Sequence, residues 1–435
     1  MSRSGLAPYL NRLRGASTLR WQGRVMQVIG SLVESAGPFC SVGESCEIVT
    51  ENGSRFAGEI VGFRGATILS MPVEAPQGIR FGDRIVTWGT RPSIRVGPEL
   101  LGRVIDATGA PLDSKGEYRA AKTVLVDGAA PLPLSRVPIR EPLGCGIRAI
   151  DGFLTCGRGQ RLGIFGGSGV GKSTLIGMMA RGTTADLTVL ALVGERGREV
   201  GDFLEVLGED GCRRSVVVAS TSNQSPLLRI RAALAATAVA EYFAGLGKDV
   251  LLVVDSVTRF AMAQREIGLA AGEPPTAKGY TPSVINMLAR LVERAGHFSH
   301  GSITAFYTVL MEGDDQQDPV VDTVRSLLDG HVVLDRSLAI RNHYPAISVL
   351  DSLSRLMPNI VRPEHVSKAN ALRTLWAAYT RSEDLIRIGA YQKGADPVLD
   401  KAIELLPAMN SFLQQLPDDL PELSNTIDRL LAIPN

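Results

Sequence analysis

The chain's 435 residues exceed what one ordinary core accommodates, and with 45% hydrophobic and 21% charged residues they describe two or three soluble globular domains rather than a disordered or membrane-embedded chain. Lys and Arg number 46 against 45 Asp and Glu, a formal charge of +1, so no global basic field points to nucleic acid. The five cysteines, Cys40, Cys46, Cys145, Cys156 and Cys212, form no CxxC pair; with no signal-like start and no uncharged apolar run of about 18 residues, the expected location is the cytoplasm.

Residues 1–20 are set apart as an N-terminal arm. Leu6, Tyr9, Leu10 and Leu13 at helical spacing beside Arg3, Arg12, Arg14 and Arg20 fit an amphipathic basic segment for a partner or anionic lipid, or else a solvated terminus. Over 21–92 the runs GRVMQVIGSLV, CEIVT, GEIVGF, TILSMPV and DRIVTWG, separated by turns such as Asn52-Gly53 and Arg64-Gly65, predict a small closed β-barrel. A strand and turn at LGRVIDATGAPLD (101–113) belongs to the next unit, 93–358, in which Pro131, Pro133, Pro138 and Pro142 mark an irregular connection. Strand-like runs at 187–193, 215–219, 250–255, 302–310 and 331–334 alternate with helical patterns, which predicts a largely parallel sheet covered on both faces. From 359 to 435 the pattern is helical, over 366–379, 382–388, 397–415 and 420–432.

The stretch that dictates chemistry is GQRLGIFGGSGVGKSTLIGM from Gly159. A short apolar strand over 161–165 enters Gly166-Gly167-Ser168-Gly169-Val170-Gly171-Lys172-Ser173-Thr174 and leaves as a helix over 171–181, the strand–loop–helix setting of a phosphate cradle. Gly166, Gly167, Gly169 and Gly171 free the backbone for positive φ and inward N–H groups, while the helix N-terminus adds partial positive charge. Lys172 reaches β- and γ-phosphates, and Ser173 can ligate Mg2+.

Hydrolysis also needs an acid near the metal and a group that orients water. Asp255 ends the apolar strand VLLVVD, so it is either an acid of the metal's outer shell or the N-cap of the following helix. Glu195 stands just past a strand in GERGRE; it either polarises the attacking water or belongs to a charged surface turn with Arg196 and Arg198. A helix over 258–266 and the loop GEPPTAKGY at 272–280 suggest a subunit contact or a moving surface. Tyr344, before Pro345, either lies on adenine or packs; Arg355 is either a finger delivered to a neighbour's γ-phosphate or a surface charge.

In this order, LGRVIDATGAPLD at 101–113, GIRAIDGFLTCGRGQRLGIFGGSGVGKST at 146–174, GERGREV at 194–200, VLLVVDSVTRFAMAQREIGLAAGEPP at 250–275 and NHYPAISVLDSLSRLMP at 342–358 resemble the rotary-type ATPase family. That family includes the catalytic subunits of ATP synthases and the export ATPases of flagellar and type III secretion systems. The resemblance covers nearly the whole chain and implies an α/β fold: a P-loop (RecA-like), mostly parallel sheet core with an N-terminal small β-barrel and a C-terminal helical domain. It implies ATP and Mg2+, with Lys172 and Ser173 as phosphate and magnesium contacts, Glu195 as catalytic carboxylate, Asp255 as outer-shell metal acid, Arg355 as the trans-acting finger and Tyr344 as an adenine contact. GERGREVGDFLE, GEPPTAKGYTPSV, the segment from Met311 to Asp315 with Asp318-Pro319-Val320, and IRIGAYQKGADPVLDKAI at 386–403 are similar to the secretion branch, most of all its flagellar form. Ile285-Asn286-Met287-Leu288-Ala289 departs from that pattern, as does Cys145 where Thr is expected.

A phosphate loop on one face and Arg355 on the opposite one complete each other head to tail, so the resemblance implies a homohexamer. The function it implies is Mg-dependent ATP hydrolysis that energises or primes protein export through a flagellar type III secretion apparatus; an injectisome ATPase and the catalytic subunit of an ion-translocating synthase are the alternatives. Expected partners are a regulator or stator-like protein at the N-terminal arm, export substrates and chaperones at the C-terminal helices, and a membrane export gate, with the protein cytoplasmic and peripheral to the inner membrane. An RNA-translocating relative needs stacking aromatics among basic residues; Trp21, Phe39, Phe56, Phe63, Phe81 and Trp88 form no such cluster in the sequence, and no nucleic-acid partner is expected.

Overall fold

The computed structural model describes residues 20–311 and 318–434, so the N-terminal arm before Arg20 and the Glu312–Asp315 part of the flagellar-like motif lie outside the described residues. Six strands, β1 (Trp21–Ile29), β2 (Leu32–Ala36), β3 (Ser45–Val49), β4 (Arg55–Arg64), β5 (Thr67–Pro72) and β6 (Arg84–Thr87), close into a barrel in the order β1-β2-β5-β4-β3-β6. The run GRVMQVIGSLV is two strands rather than one: Gly30 takes φ 59°, which reverses the chain so that Ile29 pairs with Leu32. Inward-facing Val25, Val33, Ile48, Ile60 and Ile85 fill the interior.

Behind the barrel, β7 (Arg103–Asp106), β8 (Arg161–Gly166), β9 (Leu187–Glu195), β10 (Ser215–Thr221), β11 (Asp249–Asp255), β12 (Ser302–Leu310), β13 (Gly330–Leu334) and β14 (Ile347–Ser354) run β14-β13-β8-β12-β11-β9-β10-β7 in a nine-stranded sheet, whose ninth strand, Gly296–His297, pairs with β12. From β13 to β7 the pairs are parallel, and β14 and Gly296–His297 are antiparallel. Helices α1 (Lys172–Gly182), α2 (Gly197–Arg213), α3 (Pro226–Ala244), α4 (Val257–Ala271), α5 (Pro282–Val292) and α6 (Pro319–Leu327) connect the strands.

The strands read as unbroken apolar runs because both faces are buried. On β9, Val189, Ala191 and Val193 face a core shared with α3, α4 and α5, while Leu190 and Leu192 face a second core shared with α1 and α2. That second core continues into α7 (Pro363–Arg387), α8 (Pro397–Leu413) and α9 (Leu423–Leu431) through Leu372, Leu399, Phe412 and Leu430. The two helices expected over 366–379 and 382–388 are the single α7, since Thr380 and Arg381 between them break neither hydrogen bonding nor backbone geometry. A short antiparallel pair, Ser93–Val96 with Lys122–Leu125, was not legible from periodicity.

Strand polarity decides where chemistry can sit. Strands β8, β9 and β11 are mutually aligned through parallel pairings, so Gly166, Glu195 and Asp255 emerge at one sheet edge. Strand β14 runs the other way: its last residue, Ser354, pairs with Gly330 at the start of β13, which puts Arg355 at the far edge.

Candidate active site

Positive φ occurs at Gly169 (81°) and Gly171 (89°) but not at Gly166 or Gly167. Gly166 is required for another reason: it is the last residue of β8, and a Cβ there would lie 2.8 Å from the Cβ of Leu334 on the adjacent strand. Gly171 is the N-cap of α1 and supplies no side-chain cap, so the first-turn N–H groups of that helix are left for an anion. Val170 is buried beneath the loop, whereas Ser168, Gly169 and Ser173 are exposed.

Lys172 Nζ lies 2.6 Å from Asp255 Oδ1, and the Thr308 hydroxyl donates to the same oxygen at 2.6 Å. Asp255 is only 3% exposed, so its charge depends on those two partners. It does not cap α4. Ser256 does, accepting from the Arg259 N–H at 3.3 Å, which removes the helix-capping alternative for Asp255.

The pairing of β9 with β10 slips between Val193 and Glu195, where Gly194 takes φ 69°. This irregularity swings the Glu195 carboxylate out of the sheet. Its partner is Arg259, with Nε 3.3 Å from Oε1. Burial pushes the Glu195 carboxyl up to about 7, helped by a hydrogen bond with Glu199 and the Asp255 charge and opposed by Arg259 and Lys172. The same hydrogen bond holds the Glu199 carboxyl below the usual carboxylate range. Arg196 and Arg198 instead form exposed pairs with Glu199 and Asp202.

These groups line a cleft of about 1210 Å³ that runs from the phosphate loop past Glu195 and Asp255 to Arg265, Lys278 and Arg336. Sequence reasoning missed those three cations, and Arg259 and Thr308 as well. Arg259 lies four residues after Asp255, one turn into α4, and that spacing was its available signal; Thr308 needed the β11–β12 register. Tyr344 stands beside the cleft: a Cβ on Gly171 would lie 3.4 Å from its ring, which is 41% exposed. Arg355 is brought to none of these groups. Its side chain is exposed and its N–H donates to Asp329 at the opposite sheet edge.

For a cation, the donors are hard oxygens: the exposed Ser173 hydroxyl beside the loop and the Asp255 carboxylate behind Lys172. Among the described residues no three His, Cys, Asp or Glu gather into a metal cage.

A glycine loop feeding a helix N-terminus, with a lysine, a buried acid and a second carboxylate of raised pKa at the same sheet edge, defines a P-loop nucleotide-hydrolysing enzyme. Residues 146–354 match the ATP synthase alpha/beta family, nucleotide-binding domain; 25–89 match that family's beta-barrel domain, and 361–432 match the T3SS EscN ATPase C-terminal domain. A flagellum-specific ATP synthase of Bacillus subtilis is 51% identical over 94% of this chain and 94% of its own length, and a type 3 secretion system ATPase of Xanthomonas euvesicatoria is 48% identical over 95% and 94%. The assembled ATPase EscN from the enteropathogenic E. coli type III secretion system superposes with a TM-score of 0.90 at 44% identity, covering 94% of this chain and 99% of that one. The chain therefore belongs to the ATP synthase alpha/beta family, in the branch of flagellar and type III secretion ATPases.

Proposed function

We propose that the chain hydrolyses ATP with Mg2+ in a homohexameric ring and that this hydrolysis serves protein export through a flagellar type III apparatus. The observation that carries the reading is the gathering of Lys172, Asp255 and Glu195 on one cleft with Arg355 exposed at the far sheet edge, an arrangement that two neighbouring copies complete. Magnesium, when bound, neutralises phosphate charge and orients the γ-phosphoryl group; Ser173 would hold it and Asp255 would order its water shell. Lys172 exchanges Asp255 for phosphate oxygens, the α1 N-terminus takes the remaining charge, and ionised Glu195 draws the proton of the attacking water. Tyr344 covers the adenine, and Arg355 of the next copy meets the charge that develops on the transferring phosphoryl group.

The flagellar assignment follows the flagellum-specific relatives. An injectisome role is the second reading, favoured by the match of 361–432 to the EscN C-terminal domain. A solved relative, EscN, binds a central stalk, EscO, and by analogy a stalk-like partner threads this ring. We further assign a regulator to the N-terminal arm, substrates and chaperones to the C-terminal helices, and a cytoplasmic location beneath a membrane gate. Turnover per subunit measured against protein concentration tests the ring: it should fall on dilution, and a constant value down to the monomer refutes the shared site. Deleting the gene should abolish flagella if the first reading holds, and effector secretion if the second does.

A further inference from the structure

The segment after α8, from Gln414 to Leu420, lies outside any helix or strand, yet it is tied to both ends of α1. At the C-terminal end, Arg181 Nη1 is 2.9 Å from Asp418 Oδ1 and Nη2 donates to the Pro417 carbonyl at 2.7 Å. A Cβ on Gly182 would meet Leu420 Cδ2 at 3.4 Å. At the N-terminal end, the Gln415 N–H donates to the Tyr344 carbonyl at 2.8 Å, and the Tyr344 ring stands against Gly171.

One side chain fixes this strap. Arg148, 3% exposed in the short helix Arg148–Phe153, donates from Nε to the Phe412 carbonyl at 2.6 Å and from Nη2 to the Gln414 carbonyl, and pairs through Nη1 with Asp419. Its backbone N–H donates to Gln415 Oε1 at 2.9 Å. Gln415 Nε2 in turn donates to the Gly146 carbonyl at 2.7 Å and to the Asp419 carbonyl. A planar fork that binds positions 412, 414 and 419 at once sets the curvature of the strap as well as its attachment. The hydrogen bonds of Arg148 run to the strap and to the end of α8, away from Lys172, Glu195 and Asp255.

We propose that Arg148 is a positioning residue for nucleoside recognition: through Gln415 it holds Tyr344 where the ring meets the base of a bound triphosphate, so that base-dependent binding, and not phosphate chemistry, depends on it. The inference rests on the ATPase reading above. In steady-state kinetics of the full chain, Arg148→Ala is expected to raise KM for ATP about tenfold with kcat within about threefold of wild type, while inorganic tripolyphosphate, which carries no base, inhibits as strongly as before. Tyr344→Ala should raise KM similarly, and the double variant no further, because both act through one contact. If Arg148→Ala does not fold, Arg148→Lys serves instead; it keeps a charge for Asp419 but cannot hold the Phe412 and Gln414 carbonyls at once, and should show the same KM effect. The proposal is overturned by an unchanged KM in a folded variant, by ATP and tripolyphosphate weakening together, or by effects of Arg148 and Tyr344 that multiply. Absence of ATP hydrolysis in the wild-type chain would instead overturn the ATPase reading itself, and this inference with it.

Discussion

The Lys172 ammonium and the Asp255 carboxylate are 2.6 Å apart, so the phosphate-binding lysine is held by the acid that stands behind the cradle. The pair keeps Lys172 in place without a ligand, and Thr308 keeps Asp255 satisfied when the lysine turns to phosphate.

Lys172→Ala should therefore lower ATP turnover by about a thousandfold or more while leaving the far-ultraviolet circular dichroism unchanged, because Asp255 retains its Thr308 bond. A phosphate-release assay decides it, and turnover near the wild-type rate would discard the site.

Thr308→Val tests the other half of that relationship. It removes the hydroxyl from a buried carboxylate oxygen at a cost of about 1–3 kcal/mol, read by denaturant melts, and leaves that oxygen to hold Lys172 back from phosphate. Turnover is expected to fall about tenfold without a change in ring assembly.

The raised Glu195 pKa makes two statements about pH. As a base Glu195 must be ionised, so kcat/KM should climb with pH and level off above about 7. For stability, the folded chain holds the proton more tightly than the unfolded one, so the contribution of Glu195 is full below the unfolded carboxylate pKa and is lost as pH rises through about 7. Glu195→Gln should thus stabilise the nucleotide-free protein by about 1–2 kcal/mol at pH 8.5, after solvent screening is allowed for, with no gain near pH 4.5. A gain of equal size at both pH values contradicts the assignment.

Arg355 is best examined by mixing. Rings of Lys172→Ala alone or Arg355→Ala alone should be inactive, yet co-assembled rings contain interfaces where an intact loop meets an intact arginine. Turnover regained on mixing supports a shared site; additive residual activities refute it.

The sheet was legible because strands buried on both faces are long apolar runs, and VLLVVD could be little else. The barrel was legible from its turns, although Gly30 hid a reversal inside one apolar run. Lys172 and Ser173 announce themselves through local spacing, and Glu195 and Asp255 through their places at strand ends. Thr308, Arg265, Lys278 and Arg336 come from other elements and carry no mark in the sequence; only the strand register and the fold of the cleft bring them in. The Arg148 strap was invisible for the same reason, since it joins residues more than 260 positions apart.

The barrel draws its core from its own strands, whereas the face of the sheet that carries α1 is finished by Leu372, Leu399, Phe412 and Leu430. A nascent chain can therefore close its barrel once about ninety residues are clear of the ribosome, but the face of the sheet that carries α1 keeps part of its core uncovered until α9 emerges. The order of synthesis thus completes the support of the ATP cradle last, and a prematurely terminated chain would join a closed barrel to a sheet whose α1 face is incompletely covered.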